Sequence, residues 1–175
     1  MSQPEAWMRG PVPGVPPLLM PVAHALIGAR EDVATAIAEL DTDVLWARPG
    51  GAGSAGFHAL HLAGSLDRLF TYARGDGLDD EQFAALAREQ APGDPPPSAR
   101  ELIHVVETQV EKALAQLRAT DPDTLLDFRG VGRKQLPSNV LGLLFHAAEH
   151  TQRHVGQVVT TAKIARALGR AGGGG

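Results

Sequence analysis

The chain has 175 residues, 16 basic against 20 acidic side chains, seven histidines and no cysteine. That length suits one domain with a substantial buried core, and the missing cysteine excludes a disulfide scaffold, a thiolate zinc finger, an iron–sulfur cluster and a cysteine nucleophile. A net charge of −4 argues against broad nucleic-acid binding, which needs a basic field to neutralise phosphates. Pro4, Pro11, Pro13, Pro16 and Pro17 deny the first twenty residues helical hydrogen bonding and predict an extended arm over 1–20. The sequence opens with no basic region followed by an apolar run, and no stretch reaches the roughly eighteen apolar residues of a membrane span, so a soluble cytoplasmic protein is expected.

From about Pro21 to Leu40, Val22, Leu26, Val33, Ile37 and Leu40 recur at helical spacing, with Arg30, Glu31, Asp32 and Glu39 on the other faces. A Gly-rich break, ARPGGAGSAG, follows. Ser54 then caps a second helix to about Arg74, with Leu60, Leu66, Leu69 and Phe70 apolar and Gly75 as its stop. A short linking helix is expected from Asp79 to Gln90, before the breaker run PGDPPP. Ser98 caps a third long helix to about Thr120, carrying Leu102, Val106, Val110, Leu114 and Leu117. Residues 121–137 read as irregular or weakly strand-like, without a convincing strand. The last helix runs from near Ser138 to near Leu168, before Gly169 and a flexible Gly-rich tail over 170–175. The fold class is therefore all-α: a four-helix bundle over 21–169 with one extra short helix.

The densest chemical signal is His146, His150 and His154 on the last helix. Residues four apart lie about 40° apart around a helix and about 6 Å apart along it, so neighbouring imidazoles can converge on one metal. All three span about 12 Å, too far for one ion, so His146 and His154 compete to join His150. A third ligand must come from another helix. His61, near the middle of the second helix, with His150 and His154 makes a three-His site with open positions. His58 and His146 each offer an alternative one turn earlier.

Rival motifs overlap this region. His146, Glu149 and His150 spell H-x-x-E-H, in which Glu149 would be a general base and a downstream carboxylate the third ligand. No Asp or Glu follows His150, so that reading needs an upstream carboxylate to fold back, and Glu149 is expected to pair with Arg153. Gly51 to Gly56 match G-x-G-x-x-G, but without the preceding strand of a dinucleotide site they read as a turn delivering Ser54 to a helix. Arg129, Arg133 and Lys134 cluster between the last two long helices, either as a solvated loop or facing an anionic ligand at the bundle mouth. His24 and His104 read as structural. Asp67 lies about 240° from His61 and cannot share a metal with it. Arg68 suits a cross-helix salt bridge, and Tyr72 suits packing.

GFHALHLAGSLDRLFTYARG, followed much later by LLFHAAEHTQRHVGQVVTTAKI, resembles the DinB-like superfamily of metal-dependent enzymes, which includes the YfiT-type proteins. The most specific part is H-x-x-x-H-x-G-Q, here His150, His154, Gly156 and Gln157, with His61 as the partner histidine. The resemblance implies a four-helix bundle holding a divalent metal, usually zinc or nickel, on His61, His150 and His154. It also implies a homodimer and, for some members, a transferase or isomerase reaction with a low-molecular-weight thiol.

Three neutral imidazoles leave the charge of a divalent ion uncompensated, which favours a water of lowered pKa or a thiolate in the open position. Two reactions on a small-molecule substrate follow: attack by a metal-held hydroxide, or attack by an external thiol. No catalytic carboxylate is assigned. The competing reading is a metal-binding or partner-binding bundle without catalysis.

Overall fold

The computed structural model describes residues 3–172. Four long helices form the bundle: α1 (Met20–Ile37), α3 (Ala55–Arg74), α5 (Ala99–Ala119) and α6 (Val140–Gly172). α1 and α3 each pack against both α5 and α6. Two shorter helices, α2 (Thr42–Trp46) and α4 (Asp80–Gln90), complete the α-helices among the described residues. The expected all-α bundle is present, with local differences.

One difference is a two-stranded antiparallel hairpin, β1 (Phe128–Val131) and β2 (Leu136–Asn139), in the segment read as lacking a convincing strand. Phe128 pairs with Asn139 and Val131 with Leu136. Its edges bury little, so the alternation that marks a half-buried strand is absent from the sequence. Another is α2, a single turn ahead of the Gly-rich break that places the Trp46 indole over the start of α3 and lets its Nε1 donate to Pro97 O at 2.8 Å. α6 also continues past Gly169 to Gly172. The tail read at 170–175 overlaps this helix, and 173–175 lie outside the described residues.

Capping fixes the helices that carry the site. Ser54 Oγ accepts from Phe57 N at 3.0 Å, opening α3 as its N-cap. Asp79 with Gln82 closes a capping box on α4, and Ser98 with Glu101 closes another on α5. The core runs along the bundle axis through Leu26, Val33, Leu62, Leu66, Phe70, Val106, Leu117 and Leu144. Thr151 is fully buried in it, and its Oγ1 has no hydrogen-bond partner among the described residues. Thr151→Val keeps the shape and removes an unsatisfied hydroxyl, so urea unfolding is expected to show about 1 kcal/mol of added stability.

The arm is not uniformly extended. Ala6–Met8 and Pro17–Leu19 form 3-10 turns, and Ala6, Val15 and Leu19 are buried. His24 Nε2 lies 2.9 Å from Gly10 O, and Arg9 meets Glu31 through two bonds of 2.6 and 2.7 Å. The Arg9 hydrogen bond holds the Glu31 carboxyl below its ordinary value of 4.5. A lowered carboxylate pKa contributes stability that is present above the unfolded value and lost as pH falls through the folded one. Amides of residues 5–19 are therefore expected to exchange faster as pH falls below about 4.5, after correction for intrinsic rates, and Arg9→Ala is expected to abolish that dependence.

Candidate metal centre

α3 and α6 form the most extensive helix pair, and the histidines lie along their contact. His58 and His61 stand three residues apart on α3; His150 and His154 stand four apart on α6. One ring nitrogen from each of His61, His150 and His154 lies within 4.8 Å of the others. Among the described residues this is the one group of three or more side chains placed to hold a metal ion. His61 Nε2 approaches His150 Nε2 to 3.2 Å, and the His61 and His154 ring centroids are 4.5 Å apart.

The two alternatives one turn earlier stand outside this group. His58 is buried, and its Nδ1 lies 3.1 Å from His154 Nδ1, so one of the two nitrogens carries the shared proton. That contact occupies Nδ1 of His154. His146 is half exposed and pairs with Glu149 at 3.2 Å, and Glu149 also pairs with Arg153 as its i,i+4 spacing suggests. The Arg153 hydrogen bond lowers the Glu149 pKa, which suits a solvated ion pair.

Glu89, from the end of α4, went unnoticed in the sequence. Its carboxylate is 2% exposed, with Oε2 at 2.7 Å from His61 Nδ1 and Oε1 at 2.6 Å from Arg68 Nη1. The cross-helix salt bridge expected of Arg68 is this one. Burial acts most strongly on Glu89 and pushes its carboxyl up, but the hydrogen bonds and charges of His61 and Arg68 together prevail and lower it. Burial lowers His150 and, with the neighbouring imidazoles, brings His154 down to about 4. Burial also lowers His58. Neutral imidazoles carry the lone pairs that a metal requires.

Other candidates are placed elsewhere. Asp67 bonds to Gln82 at 2.6 Å and Gln109 at 3.1 Å, away from the histidines. Arg129 donates to Ala73 O at 2.9 Å at the far end of α3, about 18 Å along the helix from His61, and Arg133 and Lys134 sit in the hairpin turn. The basic cluster therefore does not face the histidines. The G-x-G-x-x-G segment follows α2 and a 3-10 turn instead of a strand. Two of its glycines serve packing: a Cβ would meet His58 Nε2 at 2.8 Å from Gly53, and the Trp46 indole at 2.7 Å from Gly56. Tyr72 packs on the core, His24 holds the arm, and His104 is exposed on α5 instead of structural.

The sequence profile of the DinB superfamily matches residues 25–158, which contain all three histidines of the group. The chain belongs to the DinB superfamily. No curated protein matches it.

The donor set of this DinB-superfamily chain fits a divalent ion. Metal–nitrogen bonds of about 2.0–2.1 Å in a tetrahedron set nitrogens about 3.3 Å apart, near the 3.2 Å between His61 Nε2 and His150 Nε2. Metal-binding histidines also give their second nitrogen to a carboxylate or similar partner, as His61 does to Glu89. The ring of Phe57 stacks on His61, with centroids 5.6 Å apart and planes 13° apart, and forms an apolar wall on one side. Of the motif's other members, Gly156 and Gln157 are exposed, and no contact among the described residues requires the glycine.

Proposed function

We propose that His61, His150 and His154 bind one divalent metal ion, zinc or nickel, and that the protein is an enzyme acting on a small molecule at that site. The observation that supports this reading is convergence with orientation. Three imidazole nitrogens from two helices lie within 4.8 Å, and Nδ1 of His61 and Nδ1 of His154 are engaged by Glu89 and His58. A bound ion supplies Lewis-acid activation at the positions that three protein ligands leave open.

The chain's own residues prepare that site. Glu89 holds the proton of His61 on Nδ1, which turns Nε2 toward the group. His58, one turn earlier on α3, shares a proton with Nδ1 of His154 and positions that ring. Phe57 restricts approach along one flank of His61. No cysteine is present, so a thiol reaction of the kind the family resemblance implies takes its sulfur from a low-molecular-weight cosubstrate.

Calorimetric titration of chelator-stripped protein with zinc and with nickel is expected to give one ion per chain. A panel of small electrophiles, each assayed with and without an added thiol, then tests catalysis. Absence of stoichiometric binding overturns the metal site. Binding without turnover in either arm would replace the enzyme by a metal-binding module.

A further inference from the structure

α4 is an unusual helix to find docked on a bundle. It has 11 residues, and helices shorter than about 12 residues are marginal in water without tertiary support. Glu89 is its one buried residue, while Phe83 and Leu86 stay substantially exposed. The face toward α3 is polar. Near the start of α4, Gln82 Nε2 reaches Asp67 Oδ2 at 2.6 Å and Thr71 Oγ1 at 2.7 Å. At its end, Glu89 meets His61 and Arg68. Both connections, Gly75–Asp79 and Ala91–Ser98, lack regular structure. α4 is held by hydrogen bonds at two points, and one of them is a histidine of the three-His group.

The backbone is shaped for that contact. His61, Gly64 and Arg68 share one face of α3, at i, i+3 and i+7. A Cβ at Gly64 would overlap Glu89 Oε1 and stand 2.9 Å from Arg68 Nη1. Only a glycine lets the carboxylate rest on α3 between its two partners.

We infer that Glu89 couples the docking of α4 to occupancy of the three-His site: metal binding holds α4 against α3, and metal loss loosens it. The inference rests on the metal-binding reading above and adds its regulation. The 3.2 Å approach of His61 Nε2 to His150 Nε2 requires a proton or a cation between the two lone pairs. Without metal, that proton can sit on His61 Nε2. The neutral ring then presents a bare lone pair at Nδ1 to the Glu89 carboxylate, and two acceptors oppose each other. With metal on Nε2, the proton of His61 is confined to Nδ1, and the polarised ring donates a stronger bond to Glu89. Linkage is reciprocal, so whatever Glu89 adds to metal affinity, metal adds to the docking of α4.

The test is hydrogen exchange of residues 80–90 in the full chain, with chelator and with saturating zinc. Removing such an outer partner weakens metal affinity by about 10–100-fold, so zinc is expected to slow exchange in α4 by about the same factor. Glu89→Ala is expected to bind zinc about 10–100-fold more weakly and to show no zinc effect on α4. Gly64→Ala leaves every polar side chain in place and is expected to uncouple α4 in the same way. Zinc binding to the wild-type chain without slower exchange in α4, or retention of the zinc effect in both variants, overturns the coupling and leaves the metal site standing. No zinc binding to the wild-type chain overturns both.

Discussion

Replacing His150 by alanine is expected to abolish stoichiometric zinc binding, and His61→Ala and His154→Ala should do the same. Apparent zinc-binding energies of about 10–16 kcal/mol shared among four ligands give each ligand about 3 kcal/mol, so each variant should weaken binding by more than about 100-fold. His146→Ala is the informative control. It stands one turn before His150 and belongs to the H-x-x-E-H match, yet its side chain is half exposed and paired with Glu149. It should bind one zinc with near-normal affinity. His58→Ala should fall between these limits, because His58 touches His154 Nδ1 and lies outside the three-nitrogen group. Calorimetry on the five variants separates the register deduced here from the two neighbouring ones.

Arg68→Ala is expected to be among the most destabilising single changes outside the apolar core. It leaves the Glu89 carboxylate, 2% exposed, with His61 as its remaining partner. Breaking a buried pair by removing one member costs about 3–5 kcal/mol, because the other charge stays buried without compensation. The surviving His61 bond places the loss toward the lower end. Replacing both members, Arg68→Met with Glu89→Leu, removes the stranded charge and should recover much of that stability. The double variant should still bind zinc about 10–100-fold more weakly, since His61 has lost its carboxylate. Urea unfolding in chelator, read beside zinc titration, keeps these two consequences apart.

The legible parts of the sequence were those fixed by local pattern. Helical spacing and Ser54, Asp79 and Ser98 marked where α3, α4 and α5 begin, because capping is decided within four residues. The i,i+4 spacing of His150 and His154 could likewise be read as a candidate metal pair. What stayed hidden depends on contacts between elements. Spacing alone could not choose His61 over His58, because both lie on the side of α3 facing α6. The rotation of the helix decides it, burying His58 against His154. Glu89 looked like any charge near a helix end, in the stretch DEQFAALAREQ. A clue lay in Gln82 and Glu89, two polar residues seven apart on α4, which meet Asp67 and Thr71, and His61 and Arg68, once the two helices pack. The β1–β2 hairpin was missed because neither strand buries an alternating apolar face.

X-ray diffraction from crystals of the zinc-loaded protein, recorded on both sides of the zinc absorption edge, identifies both the ion at the three-His site and its ligands. One anomalous peak per chain is expected between His61 Nε2, His150 Nε2 and His154, with His61 Nδ1 still bonded to Glu89. A peak on His146 or His58, or no peak among these histidines in protein that carries zinc, would contradict it.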